Sequence, residues 1–466
     1  MTQINICYVV GALFISTYLV QAQNPESIAE KDTNNLGYQL RKGGKFYVQA
    51  RTYFSTTIND GRLTDYYALG IGAGIGYETP RVFRYFQARV SGYSMFNVAS
   101  SNLQKTDPRT NQLNRYEIGL FDIENPDNHK DLNHLEELYI KAFVSTKSKI
   151  IVGRQIPQTP FINPQDGRMR PTFVESAVVD LNEWKNLKIY GAYIWQMSPR
   201  STIRWFNIGE SIGLYPVGVG VTGESSKYKN NTSSSGIGIA GISYQNKRWN
   251  IQLWNNYVDN INNTGMLKVE WKSKPNAGKN WLFGGQFIHQ NTLGDGGNED
   301  PAKAYAQKGN GANIISGRLG QQSNKFTWFL NATRITDKGR YLMPREWGRD
   351  PFYTFIPREK NEGFGDLTAV TVNTFCTIQN HIRLELSAGY FQLPDVKNFT
   401  LNKYGMPSYA QVNLGLTYQF ENYLKGLNLL LLIARKDQIG ETYQKDRFVL
   451  NKVNMTHLNL ILNYQY

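Results

Sequence analysis

The chain ends on Thr456-His457-Leu458-Asn459-Leu460-Ile461-Leu462-Asn463-Tyr464-Gln465-Tyr466. Leu458, Leu460, Leu462, Tyr464 and Tyr466 fall on one face. His457, Asn459, Asn463 and Gln465 fall on the other, and Ile461 alone breaks the alternation. A period of two is that of a β-strand with one apolar and one polar face. A soluble sheet uses such strands too. An aromatic residue closing the last strand, however, is a common ending of outer-membrane barrels, whose final strand pairs with the first. That reading requires many more strands of the same kind.

Working outward, eighteen segments read as strands: 46–58, 65–78, 83–96, 134–145, 149–155, 174–182, 187–196, 236–245, 248–258, 265–273, 281–290, 311–321, 326–335, 365–378, 382–392, 409–420, 426–435 and 456–466. Several alternate cleanly. Phe46, Val48, Ala50 and Phe54 oppose Tyr47, Gln49, Arg51 and Tyr53, and Val412, Leu414, Leu416 and Tyr418 oppose Gln411, Asn413, Gly415 and Thr417. Each is about as long as a tilted strand needs to cross a bilayer. Short turns (79–82, 146–148, 183–186, 246–247, 322–325, 379–381, 421–425) alternate with long connections (97–133, 156–173, 197–235, 291–310, 336–364, 393–408, 436–455). Every long connection therefore lands on one side, the asymmetry of outer-membrane barrels. Closure also gives every backbone polar group in hydrocarbon a partner, which an open sheet cannot do. The expected fold is all-β, a transmembrane antiparallel barrel of eighteen strands over 46–466.

Composition agrees. Of 466 residues 41% are hydrophobic and mean hydropathy is −0.46, which excludes a helical membrane bundle. The one long apolar run, Ile4 to Val20, precedes Val20-Gln21-Ala22 and reads as a secretory signal peptide over 1–22, although its first residues lack Lys or Arg. Residues 23–45 read as a polar periplasmic lead-in. With Cys7 removed, Cys376 is left alone and no internal disulfide can form. The formal net charge of +14 favours anionic solutes and anionic lipid head groups, lipopolysaccharide included. With no Lys/Arg-rich tail, nucleic acid is not an expected partner. No metalloprotease, paired Cys or nucleophile-elbow motif occurs, and His129, His134, His289, His381 and His457 are dispersed. Neither an enzyme nor a cofactor is expected. The run Gly70-Ile71-Gly72-Ala73-Gly74-Ile75-Gly76 has period two and no following helix. It reads as a bare inner wall against which a loop or side chain packs.

Two loops look specialised. The first, Gly153 to Phe173, carries Pro157, Pro160, Pro164 and Pro171, with Asp166-Gly167 as a turn. These would hold Arg168 and Arg170 in fixed places. The second, Met343 to Asp366, interleaves Arg345, Arg349 and Arg358 with Trp347, Phe352, Tyr353, Phe355 and three prolines. Such a composition suits a stretch folded inward to narrow a pore, or a packed external lid.

Gly153-Arg154-Gln155-Ile156-Pro157, Arg168-Met169-Arg170-Pro171-Thr172-Phe173 and the ending Leu424-Lys425-Gly426-Leu427 before the last hairpin resemble the OprD family of outer-membrane porins. The resemblance implies an eighteen-stranded channel, monomeric or loosely associated, that passes small and often carboxylate-bearing solutes by a row of arginines. Arg168 and Arg170 match the family's loop motif. Arg51, Arg89 and Arg383 join them as candidates because strand parity points them inward, and Asp166, Arg345, Arg349 and Arg358 by their loops.

The expectation is thus a passive, substrate-selective outer-membrane channel, with the barrel-assembly machinery reading the C-terminal strand. The rival is a non-conducting barrel that serves as an adhesin or interaction scaffold through its external loops. An energised receptor is disfavoured, because strands begin near Phe46 and leave no room for a plug. The mature protein should begin at Gln23. Mass spectrometry of membrane fractions checks this, and intact Met1–Ala22 in the assembled protein would refute it.

Overall fold

The computed structural model describes residues 43–165, 167–215 and 217–466. The expected signal peptide, nearly all of the lead-in, and Asp166 lie outside the described residues.

Eighteen long antiparallel strands form one closed sheet, from Lys45–Asn59 to Met455–Gln465. A further two-residue ladder, Phe206–Asn207, adds to the end of Leu187–Ser198. Each long strand pairs with its sequence neighbours, and the first pairs with the last, Gln49 opposite Gln465 through Asn59 opposite Met455. Tyr466 completes the seam: its N–H donates to the Val48 carbonyl (3.0 Å) and its carbonyl accepts from the Val48 N–H (3.2 Å). The third strand shows the largest shift from expectation, Phe86–Ser100 rather than 83–96. Phe83 and Arg84 take left-handed φ values of 49° and 69°, which widens the preceding turn and delays the strand.

Burial is inverted relative to a soluble protein. On the first and last strands Ser55, Thr57, His457 and Asn459 are at most 1% exposed, whereas the outward residues Phe46 and Ile75 are 68% and 63% exposed. Outward side chains are apolar because they meet lipid, and inward ones are polar because they meet one another and water. The buried amides pair across strands: Asn331 Nδ2 donates to Asn373 Oδ1 (2.8 Å), and Asn373 Nδ2 to Ser387 Oγ (2.9 Å). An unpaired amide at such a site would cost about 1–3 kcal/mol.

The apolar core lies inside the barrel, at its external end. Loops fold inward there, and Trp347, Phe352, Tyr341 and Phe364 pack against Ile288, Ile314 and Leu367 of the wall. A second cluster joins Phe121 and Met169 of two other loops to Tyr53 and Met95. The glycine run provides the room. A Cβ on Gly70 would meet Met169 Sδ and a Phe121 ring carbon at 2.8 Å, and one on Gly72 would meet the Tyr93 hydroxyl at 2.3 Å.

Leu414 is 46% exposed and sits at the middle of the outward face of Tyr409–Gln419, while Thr417 faces inward beside Arg383. Leu414→Arg should cost about 2–4 kcal/mol and Thr417→Arg much less. Equal losses in urea unfolding from lipid vesicles would overturn this register.

Candidate functional site

Four of the external loops that fold into the barrel together line one site. They follow the strands ending at Ser100, Gln155, Ser198 and Ile335. Loop 336–366 runs along the wall. Pro351 O accepts from Gln286 Nε2 (3.1 Å), the Tyr353 hydroxyl donates to Glu270 (3.0 Å), and Thr354 Oγ1 meets Thr333 Oγ1 (2.8 Å). Pro357 O accepts from Gln411 Nε2 (2.7 Å) and Asn413 Nδ2 (3.1 Å). Trp347, 1% exposed, donates to Ser211 Oγ at 2.9 Å and so ties this loop to loop 199–236. Loop 101–131 is held by Glu117, whose carboxylate accepts from Ser55 (3.1 Å) and Thr57 (2.8 Å) of the first strand. Burial pushes its carboxyl up to about 7, against the opposing effect of the Thr57 and Ser55 hydrogen bonds.

Between the loops lies a cavity of about 100 Å³ whose charged lining is Arg115, Arg168, Arg200, Arg345, Arg358 and Lys360 against Glu346 and Glu359. Both carboxylates are already engaged. Glu346 accepts from the backbone N–H groups of Gly213 (3.1 Å) and Tyr215 (3.0 Å). Glu359 takes Arg115 at 3.0 Å, Arg345 at 2.8 Å and Lys436 at 3.0 Å. Burial raises its carboxyl, but those three cations outweigh burial and hold it well below the ordinary 4.5. Its stabilising effect is therefore present above the usual carboxylate range and is lost only as pH falls far below it.

The candidate residues separate by environment. Arg168 lines the cavity; its Nη1 donates to Gly167 O (3.1 Å), and its own carbonyl accepts from Arg51 Nη1 (2.7 Å). Arg51 thus faces inward and braces the loop, with Nε on Asn463 (2.6 Å). Arg170 is 1% exposed and does not line that cavity. It lies against His134 (2.9 Å), Glu136 (3.6 Å) and the Phe173 ring (5.1 Å). Arg345 is likewise enclosed, between Glu359, Glu362 (3.1 Å) and the Tyr404 ring (4.1 Å). Arg89 pairs with Glu137 (2.7 Å) and Glu78 (3.3 Å) near the short-turn end of the barrel.

Arg358, Gln165 and Gly167 line both this cavity and a second one of about 280 Å³, which Arg349 and Arg383 also line. Arg383 follows the short turn 379–381, so the second cavity is periplasmic to the first. The two cavities meet at the level of these three residues. Arg358 holds a left-handed φ of 82° there and donates to the Tyr53 hydroxyl (2.8 Å). A third cavity of about 360 Å³ shares Arg349 and Phe355 with the second and adds Lys268 and Arg318.

Arg115, Arg200, Lys360, Lys268 and Arg318 escaped sequence reading. Arg200 follows Ser198-Pro199 in a loop with no periodicity to orient it, although inward parity could have found Lys268 and Arg318. Burial and the neighbouring Arg168 pull the Arg200 guanidinium down to about 9, which leaves it charged at neutral pH. Lys360 is engaged by the carbonyls of Arg345 and Gly348.

A closed eighteen-stranded barrel with inward-folded loops is the architecture of outer-membrane porins. Residues 124–330 match the family described as outer membrane porin, OprD family. That span carries Arg168, Arg170 and Arg200 and stops short of loop 336–366. No curated protein matches the sequence. Among solved structures, Pseudomonas aeruginosa OpdK with vanillate aligns with TM-score 0.69 at 14% identity, over 91% of this chain and 99% of that one. Acinetobacter baumannii OccAB3 gives 0.68 at 17%, with the same coverage. Pseudomonas aeruginosa OccD3 (OpdP) gives 0.66 at 11%, over 91% of each. At these identities the likeness is one of fold. Taken with the matched segment, it makes the chain similar to the OprD porins of the Gram-negative outer membrane, whose barrels contact lipid.

Glu359→Gln should release loop 336–366. It removes one buried charge from among three cations, a change of the kind that costs about 3–5 kcal/mol. Hydrogen exchange across 343–364 should rise while the strand ladder stays protected. Unchanged exchange would show that Glu359 does not pin the loop.

Proposed function

We propose that the channel gives passive, selective diffusion of small carboxylate-bearing solutes. The observation that carries this reading is the excess of cations around the first cavity, where both lining carboxylates are already engaged. A solute carboxylate would meet Arg168, Arg200 and Arg358 at the first cavity, then Arg349 and Arg383 below. Guanidinium offers a carboxylate two parallel N–H donors. It keeps its charge at neutral pH. At 4 Å, opposite unit charges attract by about 1 kcal/mol in bulk water and about 4 kcal/mol at an effective dielectric of 20. A narrow lumen lies between those limits, strong enough to select and weak enough to release. Flow follows the gradient and needs no energy source. That OpdK was solved with vanillate, itself a carboxylate, supports the solute class by analogy of fold. The channel is proposed to act as a monomer or loose homo-oligomer, inserted by machinery that reads its last strand.

The test is reversal-potential recording in planar bilayers under a salt gradient, with Arg168→Ala/Arg358→Ala beside the native protein. The native channel should favour anions, and the double variant should move at least several-fold toward cations with larger conductance. A folded variant of unchanged selectivity would remove these arginines from the pore. A native barrel that does not conduct would favour the scaffold reading.

A further inference from the structure

One irregularity of the sequence has no part in anion selection. Inward positions of the neighbouring strands are polar: Ser387, Asn413 and Asn459 are at most 2% exposed. Leu427–Gln438 departs from this, with Leu429 to Ile433 apolar at every position. Ala434 and His457 are cross-strand partners, both fully buried on the lumen side. Counting back in twos places Leu432 and Leu430 on that same inner face. Leu430 lies opposite Ile461, the residue that interrupts the final strand's alternation. All three are half-buried and line the cavity of about 280 Å³ below the first. The same cavity is lined by Arg349 and Arg358 from the loop, by Arg383, two strands along the wall from Leu430, and by the carboxylate Glu385.

Leucine and isoleucine gain nothing by facing water, and the inward positions of the neighbouring strands show that polar residues fit this wall. Ile461 partly packs against the cluster of Phe121 and Met169. Leu430 and Leu432 belong to neither apolar cluster, so loop support does not account for them. We infer that this chamber is a second solute station, where Leu430, Leu432 and Ile461 hold the hydrocarbon body of a monocarboxylate while the arginines of the same cavity hold its head. The station would favour aliphatic or ring-bearing acids over polyhydroxylated acids of the same carbon number. Hydroxyls laid on the leucine face would lose water there without gaining a partner from Leu430, Leu432 or Ile461. This rests on the carboxylate reading above and adds selection by the rest of the solute.

The experiment is block of chloride current through the full mature protein in planar bilayers by acetate, butyrate, hexanoate and gluconate. The half-blocking concentration should fall up to about fourfold per methylene from acetate to hexanoate. Gluconate should block no better than acetate. Leu430→Thr and Leu432→Thr, made separately so that each keeps a β-compatible side chain, should each flatten the series without changing acetate block or anion selectivity. Ile461→Thr, with a thermal melt alongside, separates solute contact from loop support. A flat series in the native channel, or one equally steep in both leucine variants, overturns the inference. Anion selectivity measured on the same membranes tests the underlying reading independently: it can persist when the series is flat, and its loss would overturn that reading instead.

Discussion

Everything in this molecule depends on hydrogen-bonding a backbone that crosses hydrocarbon. Each unsatisfied N–H or C=O there would cost several kcal/mol. A sheet of eighteen strands satisfies all of them only when its first and last strands meet. Here they do, from Gln49 opposite Gln465 to Asn59 opposite Met455. The terminal aromatic residue supplies the final pair of hydrogen bonds, to Val48. Closure fixes the parity of every strand, and parity decides which side chains meet lipid and which the lumen. The inward loops are a second consequence. A ring this wide leaves an interior that strand side chains do not fill, and the external loops occupy its outer half with an apolar core of their own.

The charges are sorted by how much water they keep. Arg170 and Arg345 are enclosed with carboxylates or imidazole and an aromatic face, so their charge is spent on structure. Arg168 and Arg358 are half-buried at the level where two cavities join. Beside them Glu359 is shared by Arg115, Arg345 and Lys436, and Arg345 also takes Glu362, so two carboxylates hold three cations at fixed positions.

The strands were legible because a period of two and a sorted set of loops survive in sequence without any tertiary information. Ile461, the one misfit in the last strand, was visible for the same reason. Arg51 and Arg383 were placed inward by parity, and inward is where they are. Parity could not say that Arg51 would reach the Arg168 carbonyl. Loop residues lack any such guide. Arg168 and Arg170 stand two apart in one motif, yet one borders the cavity and the other is buried beside His134 and Glu136. Their fates depend on partners from other strands. Arg115, Arg200 and Lys360 went unseen because nothing local distinguishes an inward loop arginine or lysine from a solvated one.

The braces of the inward loops are divided across the seam. Arg51, which supports the Arg168 carbonyl, stands on the first strand and takes its second contact from Asn463 on the last. Thr57, on the first strand, binds Glu117 of an inward loop and meets His457 of the last strand at 2.8 Å. Among the described residues every other pairing of the long strands joins sequence neighbours, so the seam alone joins the two ends of the barrel. A barrel with that joint open has no complete footing for its inward loops. The inward loops therefore gain their full footing only in the finished ring, in the same event that seals it.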